Sequence, residues 1–457
     1  MNTLRSFTVE DLLNRFRHEV IFPNDSQFVI LHGPNGVGKT RMLELVEAVF
    51  CFNLTKIFET PFSKATFEFD EKCKLTITKE SKSKPINWTI PEKLIFTFLR
   101  RGSKPVTGHI ESALHQFPTA VARDIAQETT QLLESGLSVK EKYRALKSGE
   151  DSPYWLESGR PRFRNTRGSL YDVSSLDEEI VTFLSGVHIH MVETQRLLIL
   201  NQIKENVRRH GVDSHHQRMR VTELSNDLVR RLGAALAENS RKSQALDKSF
   251  PSRILDDNPD ESIPTEKEIR ALYAEQSELR NRLARIALLE ESMDVALKDK
   301  ELTESQRKVL GTYLRDSKEK LSTFLDLLYR VELLTSIVNK RFLFKRLVIN
   351  REGGFVFVSD TGQEVPPQLL SSGEQHELVL MYDLLFNVQA NSIVMIDEPE
   401  ISLHVAWQQE FMGDIVRVAT LAQFRFIVAT HSPQIINEWW SHTIGLHSES
   451  STEGEVS

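Results

Sequence analysis

The sequence predicts an α/β fold that is interrupted by a long helical insertion. Short apolar runs at residues 28–31, 393–396 and 426–429 are typical of strands that are buried on both faces of a sheet. The segment between about residues 221 and 340 has helical periodicity instead. The strands of one sheet are therefore expected to come from both ends of the chain.

The composition of the 457 residues is ordinary for a soluble globular protein, with 40% hydrophobic and 26% charged residues. The net charge of −7 argues against a basic protein that coats nucleic acid. We expect no membrane-spanning segment and no signal peptide, because no long apolar run is present. Cys51 and Cys73 are expected to be free thiols in the cytoplasm.

We assign residues 1–196 to the N-terminal half of an α/β head. Residues 65–69 and 74–78 alternate between apolar and polar, which predicts antiparallel strands with one exposed face. A helical insert is expected at about 119–148, where Ser138 and Glu141 have the spacing of a capping box.

Residues 197–345 are predicted to form a helical or coiled-coil insertion. A helix over 221–245 is followed by a polar break at 251–264. Two heptad series follow, each after a capping box. The first consists of Leu272, Leu279, Ile286 and Met293. The second consists of Leu314, Leu321 and Leu328. They favour an antiparallel hairpin with arms of about 35 residues, roughly 50 Å long. Two ordinary core helices of a bundle remain the alternative.

Residues 346–457 are predicted to be the C-terminal half of the head. A hairpin is expected from strands at 345–350 and 354–358, joined around Gly353 and Gly354. The apolar runs at 393–396 and 426–429 then supply two buried strands.

Residues 33–40, Gly-Pro-Asn-Gly-Val-Gly-Lys-Thr, match the phosphate-loop pattern between a predicted strand and a predicted helix. Glycines let the backbone wrap around phosphates, so that N–H groups and the helix N-terminus face the anion. Lys39 is placed to reach the β- and γ-phosphates, and the Thr40 hydroxyl to bind Mg²⁺. The expected nucleotide contacts in this region are Asn35, Gly36, Val37, Gly38, Lys39, Thr40 and Arg41.

A second motif ends the apolar run at 393–396. Asp397 is expected at the end of a buried strand, where its carboxylate can bind the water shell of a metal ion. Glu398 can act as a general base toward an attacking water. A strand that ends in a solvated acidic turn would look similar, but the phosphate loop favours the catalytic interpretation.

Further motifs resemble those of ATP-binding-cassette (ABC) ATPases, in the same order. Residues 370–375 resemble the signature motif, with Ser372 in place of the usual glycine, and residues 402–404 resemble the D-loop. His431 resembles the switch histidine, and Gln195 the glutamine of the Q-loop. The resemblance implies an ABC-type P-loop ATPase head, with a mixed sheet, an antiparallel β subdomain and an inserted helical hairpin, that hydrolyses ATP with Mg²⁺.

The same resemblance implies the role of each residue. The expected catalytic residues are Glu398, His431 and Lys39, and the expected Mg²⁺ site consists of Thr40, Asp397 and Gln195. The signature residues Ser371, Ser372, Gly373 and Glu374 are expected to contact the nucleotide of a second copy. The chain is therefore expected to form a dimer, or a higher oligomer built from such pairs.

Within this group, the long insertion resembles the stand-alone AAA15/AAA21-type ATPases of bacterial anti-phage defence, which include the ATPase subunits of the PARIS and Septu systems. Only 26 residues follow His431. We therefore expect the toxic effector, a Toprim-type or HNH nuclease, to be a separate protein. The resemblance implies a sensor and scaffold that answers to a phage-encoded trigger. The alternative is an SMC-like ATPase that binds DNA in repair or chromosome maintenance.

Three other patterns are less specific. His188 and His190 share one face of a strand, a spacing that suits a metal ion but also a packed sheet. His210, His215 and His216 lie in a polar segment and invite comparison with HNH nucleases, although a solvated loop is favoured. The arginines and aromatic residues of 154–167 are expected to form a surface loop, with DNA or partner contact as the alternative.

Overall fold

In the computed structural model of the chain, the described residues are 3–23, 26–80, 93–112, 132–134, 136–148, 171–193, 212–255, 263–290, 297 and 301–446. The chain divides into two compact units. Unit 1 comprises Met1–Arg196 and Val388–Ser457, and unit 2 comprises Leu197–Asn387.

The strands in chain order are β1 (Leu4–Leu12), β2 (Phe16–Ile21), β3 (Phe28–His32), β4 (Lys64–Phe69), β5 (Cys73–Glu80), β6 (Lys93–Leu99), β7 (Val106–Ser112), β8 (Tyr171–Asp172), β9 (Ile189–Glu193), β10 (Lys345–Asn350), β11 (Gly354–Ser359), β12 (Glu364–Val365), β13 (Ile393–Asp397), β14 (Arg425–Thr430) and β15 (Thr443–Gly445).

The α-helices are α1 (Lys39–Phe50), α2 (Leu54–Glu59), α3 (Val139–Ser148), α4 (Glu178–Ser185), α5 (Val212–Leu255), α6 (Glu266–Arg285), α7 (Glu304–Ser322), α8 (Leu325–Arg341), α9 (Ser372–Tyr382), α10 (Val405–Ala422) and α11 (Pro433–Ile436). Among the described residues, none of the helices is both long enough and apolar enough to cross a membrane.

The central sheet of unit 1 is parallel, with strand order β15-β3-β14-β13-β9. The apolar runs predicted to be buried strands are β3, β13 and β14, and residues 393–397 of β13 are all buried. The register pairs His32 with Thr430, and Asp397 with both Ala429 and Glu193. The carboxyl ends of four strands therefore lie side by side at one edge.

A second, antiparallel sheet in unit 1 has the order β2-β1-β4-β5-β6-β7-β8. The predicted strands at 65–69 and 74–78 lie in β4 and β5, where Phe67 pairs with Leu75. The expected exposed face is present in β5, but Thr66 of β4 is also buried. The predicted α/β class, with an antiparallel β subdomain and a helical insertion, is confirmed.

The helical part of unit 2 differs in length from the predicted hairpin. Helices α6 and α7 have 20 and 19 residues, not about 35. Both begin at the predicted capping boxes, at Thr265 and Thr303. The most buried positions of α6 are Ile269, Gln276 and Leu283, each three residues before a member of the predicted series. Met293 and residues 298–300 lie outside the described residues.

Helix α5 has 44 residues and runs through Pro251, where a break was predicted. Proline has no backbone N–H and its ring crowds the carbonyl four residues earlier, which is the reason that a break was predicted there. Packing explains why the helix continues, since Arg253 in this last turn donates to the Asp316 carboxylate of α7, with Nη2 at 2.8 Å.

The compact units and the predicted domains share the boundary after residue 196. They differ at the second boundary, because residues 346–387 lie in unit 2 and not with the rest of the head. Within unit 2, Glu374 and Glu377 of α9 form ion pairs with Lys345 and Arg341. The domain division itself stays a prediction.

Candidate functional site

The phosphate loop connects β3 to α1, as the sequence predicts. Gly36 and Gly38 have φ angles of 85° and 89°, which are left-handed conformations that glycine adopts without strain. Gly38 is the N-cap of α1, and no side chain caps the helix. The amide groups and the positive end of the helix dipole are therefore available to an anion.

Two contacts fix the loop from outside its own sequence. His18 of β2 is buried, and its Nε2 lies 2.6 Å from the carbonyl oxygen of Val37. Burial lowers the pKa of His18, and its hydrogen bond to Val37 opposes this only in part. At the start of the loop, a Cβ on Gly33 would lie 2.5 Å from the carbonyl oxygen of Leu446. Only glycine fits at that position.

Lys39 is buried and donates to groups on both sides of the loop. Its Nζ lies 2.9 Å from the carbonyl oxygen of Gly33, 3.2 Å from that of Pro34, and 2.6 Å from Nε2 of His431. Burial lowers the pKa of Lys39, while the carboxylates of Glu398 and other acidic residues nearby act to raise it. The structure thus brings the predicted lysine and the predicted switch histidine into contact.

Asp397 ends β13, and its carboxylate lies near the Thr40 hydroxyl. Burial raises the pKa of Asp397 to about 6, and the neighbouring Glu398 carboxylate also raises it. The nearby Thr40 hydroxyl and the charge of Lys39 act in the opposite direction. A cation at this position would relieve the cost of burying the carboxylate.

Glu398 follows Asp397 in a left-handed conformation, with φ 47° and ψ 54°. Such a backbone is uncommon for a residue other than glycine. Its N–H donates to the carbonyl oxygen of Ala429 at 2.8 Å, which anchors the turn to β14. Its side chain lies 3.8 Å from Nε2 of His431. The acidic turn therefore lies beside His431.

Glu400 was not singled out in the sequence, yet it contacts the loop that contains His431. Its carboxylate accepts from the Thr430 hydroxyl at 2.8 Å and from the backbone N–H of His431 at 2.7 Å. No spacing rule marks such a residue, because the contact joins two strand ends that are neighbours only in the folded sheet. His18 was also missed, because its contact joins β2 to the phosphate loop, which is distant from it in the sequence.

The residues predicted to form the signature motif lie in unit 2, at the start of α9. Ser371 is the N-cap, and Ser371 and Glu374 form a complete capping box. Glu374 also accepts from Lys345 Nζ at 2.9 Å. Its carboxylate is therefore occupied within the unit. Ser372 and Gly373 lie in the first turn, where backbone N–H groups have no partner within the helix.

Other predicted residues have different surroundings. The Arg41 guanidinium donates to Glu44 at 2.8 Å on the outside of α1, and Asn35 is exposed at the loop tip. His404, in the segment compared with the D-loop, caps α10 by accepting from the N–H of Ala406 at 3.3 Å. Gln195 lies outside the described residues, as do the arginine-rich segment and His210.

In the described part of the chain, no group of three or more His, Cys, Asp or Glu side chains is arranged to hold a metal ion. The expectation for His188 and His190 therefore gains no third ligand there. The pair of Thr40 and Asp397 is a different kind of site, because Mg²⁺ at phosphates takes few protein ligands and keeps several waters.

A protein-family model described as "AAA domain, putative AbiEii toxin, Type IV TA system" matches residues 226–437. The match begins after the phosphate loop and includes α9, Asp397, Glu398 and His431. No curated protein matches the chain.

Among solved structures, the chain is similar to an Smc head domain with an extended coiled coil from Pyrococcus furiosus, bound to the C-terminal domain of ScpA. That match has a TM-score of 0.36 and 13% identity, and covers 98% of this chain and 94% of the other. An SMC head domain from Thermotoga maritima matches with a TM-score of 0.33 and 10% identity, covering 97% and 94%.

Proposed function

We propose that the chain is an ABC-type ATPase that hydrolyses ATP to ADP and phosphate with Mg²⁺. The observation that carries the proposal is the contact between Lys39 and His431, beside Glu398 and the Thr40–Asp397 pair. These residues come from three adjacent strand ends, and each has the chemistry that phosphoryl transfer requires.

The residues at the loop fit both a triphosphate and Mg²⁺. The Thr40 hydroxyl and the Asp397 carboxylate supply hard oxygen atoms side by side, which suit Mg²⁺. When bound, Mg²⁺ would offset the negative charge of the phosphate oxygens. The uncapped start of α1 supplies backbone donors. The Lys39 ammonium group can exchange its hydrogen bond to the Gly33 carbonyl for one to a phosphate oxygen.

The reaction is an in-line displacement at the γ-phosphorus. The oxygen of a water molecule bonds to the γ-phosphorus, and the bond to the oxygen that bridges to the β-phosphorus breaks. The water proton passes to the Glu398 carboxylate, and ADP and inorganic phosphate leave. His431, held near both Lys39 and Glu398, is suited to orient the γ-phosphate.

We propose in addition that two copies share each site. The first turn of α9 offers the N–H groups of Ser372 and Gly373, which suit the oxygens of a phosphate held by a second copy. The capping role of Ser371 and Glu374 makes them supports of this turn, with the backbone as the contact surface. Mass measurement by light scattering with and without ATP tests this step, and an active monomer would contradict it.

Phosphate release by the purified chain tests the ATPase proposal. The wild type is expected to release phosphate from ATP in a Mg²⁺-dependent way. Lys39→Ala is expected to weaken ATP binding about 10- to 100-fold, the size of a lost charge-assisted hydrogen bond, and to abolish turnover. Lys140→Ala, which removes an exposed lysine of α3, is the matched control. Equal rates in all three proteins would refute the proposal.

We propose a cellular role as sensor and scaffold of an anti-phage defence complex that holds a separate nuclease effector. The description of the matched family, with its putative toxin and Type IV TA system, supports a role of this class. Isolation of the native complex before and after phage infection tests it, and a nuclease released on infection is expected. Tight, salt-sensitive binding to duplex DNA that depends on ATP would favour the repair alternative instead.

A further inference from the structure

The turn after the acidic motif carries a carboxylate that has no part in the reaction described above. Glu400 lies in the 3₁₀ turn Pro399–Ser402 and is half-buried. One carboxylate oxygen accepts from the Thr430 hydroxyl at 2.8 Å, and the other accepts from the backbone N–H of His431 at 2.7 Å. Both oxygens therefore bind the same loop, on consecutive residues.

The residues around this contact form a closed ring of hydrogen bonds. The Thr430 hydroxyl oxygen, fully buried, also accepts from the N–H of Ser432 at 3.0 Å. The Ser432 hydroxyl donates to Oε1 of Gln408 at 2.8 Å. The Gln408 side-chain amide then returns to the backbone carbonyl oxygen of Glu400 at 3.3 Å. The chain on both sides of His431 is thus tied to the turn that follows Glu398.

The imidazole of His431 lies between two groups of the reaction, with Nε2 at 2.6 Å from Lys39 Nζ and at 3.8 Å from a Glu398 oxygen. The position of the ring depends on the position of its backbone, and that backbone is held by Glu400. A displacement of about 1 Å of a positioning group can lower a reaction rate about 10²-fold.

We propose that Glu400 is a positioning residue for hydrolysis, acting through the backbone of His431. The proposal rests on the proposed ATPase function and adds to it the group that sets the geometry of the switch histidine. Both carboxylate oxygens already accept hydrogen bonds from residues 430–432, which we call the switch loop. This suits a residue that holds the loop, not one that accepts a proton from water. The role of general base stays with Glu398.

Hydrogen exchange tests the contact itself, whatever the activity of the protein. In Glu400→Ala, the backbone amide of His431 loses its acceptor, so a peptide that contains residues 430–432 is expected to exchange faster than in the wild type. Glu438→Ala removes an exposed carboxylate beyond α11 and is the matched control. Unchanged exchange in Glu400→Ala would overturn the inference.

Kinetics then test what the contact does. Glu400→Ala is expected to lower kcat about 10- to 100-fold while the Kd for ATP stays within about threefold, since the phosphate loop is untouched. Glu400→Gln is expected to recover most of the loss, because its amide oxygen can accept from His431 and its NH₂ can donate to the Thr430 hydroxyl. A variant that loses ATP affinity in proportion to kcat would point to general misfolding and contradict the role.

A double-mutant cycle separates positioning from an independent effect. If Glu400 acts through His431, Glu400→Ala is expected to reduce kcat little further in a His431→Ala protein. Losses that multiply would overturn the inference and leave the ATPase proposal standing. Absence of ATP hydrolysis in the wild type would instead refute the ATPase proposal, and the predicted loss of kcat would be refuted with it.

Discussion

The phosphate loop and the signature motif both lead into a helix N-terminus, but the two helices begin in opposite ways. Helix α1 begins at Gly38 in a left-handed conformation, with no side chain on its first N–H groups. Helix α9 begins at Ser371 with a complete capping box, so Glu374 and Ser371 satisfy each other. The first start leaves its donors for a ligand, whereas the second uses side chains to build a rigid turn and leaves only a short stretch of backbone.

The charged residues of the two regions differ in the same sense. Lys39 binds two carbonyl groups and an imidazole, partners that it can exchange for phosphate oxygens. Glu377 of α9 instead forms a fully buried ion pair with Arg341, at the end of α8. The side chain of Lys39 can change partners, which suits a residue that binds phosphate. The buried ion pair of Arg341 and Glu377 has fixed partners, which suits a structural role. The predictions below test this contrast, beginning with the largest effect.

The removal of the proposed general base is expected to give the largest change. Glu398→Gln preserves the size of the side chain and its contacts but cannot accept the water proton, so kcat is expected to fall about 10²- to 10⁴-fold. ATP binding is expected to persist and to stabilise the nucleotide-bound assembly. Phosphate release and ATP titration measure the two quantities, with Glu438→Gln as the control. Undiminished phosphate release would refute the assignment.

The buried pair under the signature helix is expected to matter for stability. Arg341→Met leaves the Glu377 carboxylate buried without its cation, which is expected to lower the free energy of unfolding by about 3–5 kcal/mol. The double variant Arg341→Met with Glu377→Leu removes both charges and is expected to regain much of the loss. Denaturant titration measures both. If Arg341→Met is as stable as the wild type, the ion pair has no structural role of this kind.

Ser371 allows the capping role to be separated from a role at the nucleotide. Ser371→Ala removes the cap and is expected to cost about 1 kcal/mol of stability, whereas Ser371→Asn, with a good N-cap residue, is expected to retain it. Thermal unfolding and phosphate release are measured together. If Ser371→Asn is stable and active, the serine serves as a cap. If it is stable and inactive, the hydroxyl acts on the nucleotide itself.

The smallest expected effect concerns the support of the phosphate loop by His18. Its lowered pKa means that the folded protein binds fewer protons than the unfolded chain, so the free energy of unfolding falls as the pH drops below about 6.5, the ordinary value. His18→Gln is expected to reduce this slope, by at most about 1.4 kcal/mol per pH unit. Denaturant titrations at pH 5.5, 6.5 and 7.5 measure it, and His188→Gln is the exposed control. An identical slope in the His18 variant would contradict the prediction.

Local patterns predicted the local features of this fold. Four apolar residues in a row were enough for β3 and β13, because a strand covered on both faces needs no polar alternation. The capping boxes at Thr265 and Thr303 are also present, since each depends on residues only three apart. The position of the phosphate loop at the carboxyl edge of the parallel sheet was also predictable, because the loop directly follows β3, a strand that the sequence identifies.

Features that depend on distant partners were not predicted. The heptad pattern gave the helices of unit 2 but not their lengths, because the end of α7 near Thr323 and the continuation of α5 past Pro251 depend on tertiary packing. Glu400 has no motif of its own, and its contact with the switch loop required the register of β13 and β14. The Gln195 assignment remains a prediction.

The close approach of Leu446 to Gly33 has a consequence for the order in which the protein can be made. The N–H of Leu446 donates to the carbonyl oxygen of His32 at 2.8 Å, and β15 adds the edge of the sheet beside β3. On the ribosome, the phosphate loop therefore lacks its contact with Leu446 until residues 443–446 have been synthesised. A translation product that ends before these residues would lack the contact of Leu446 with the phosphate loop.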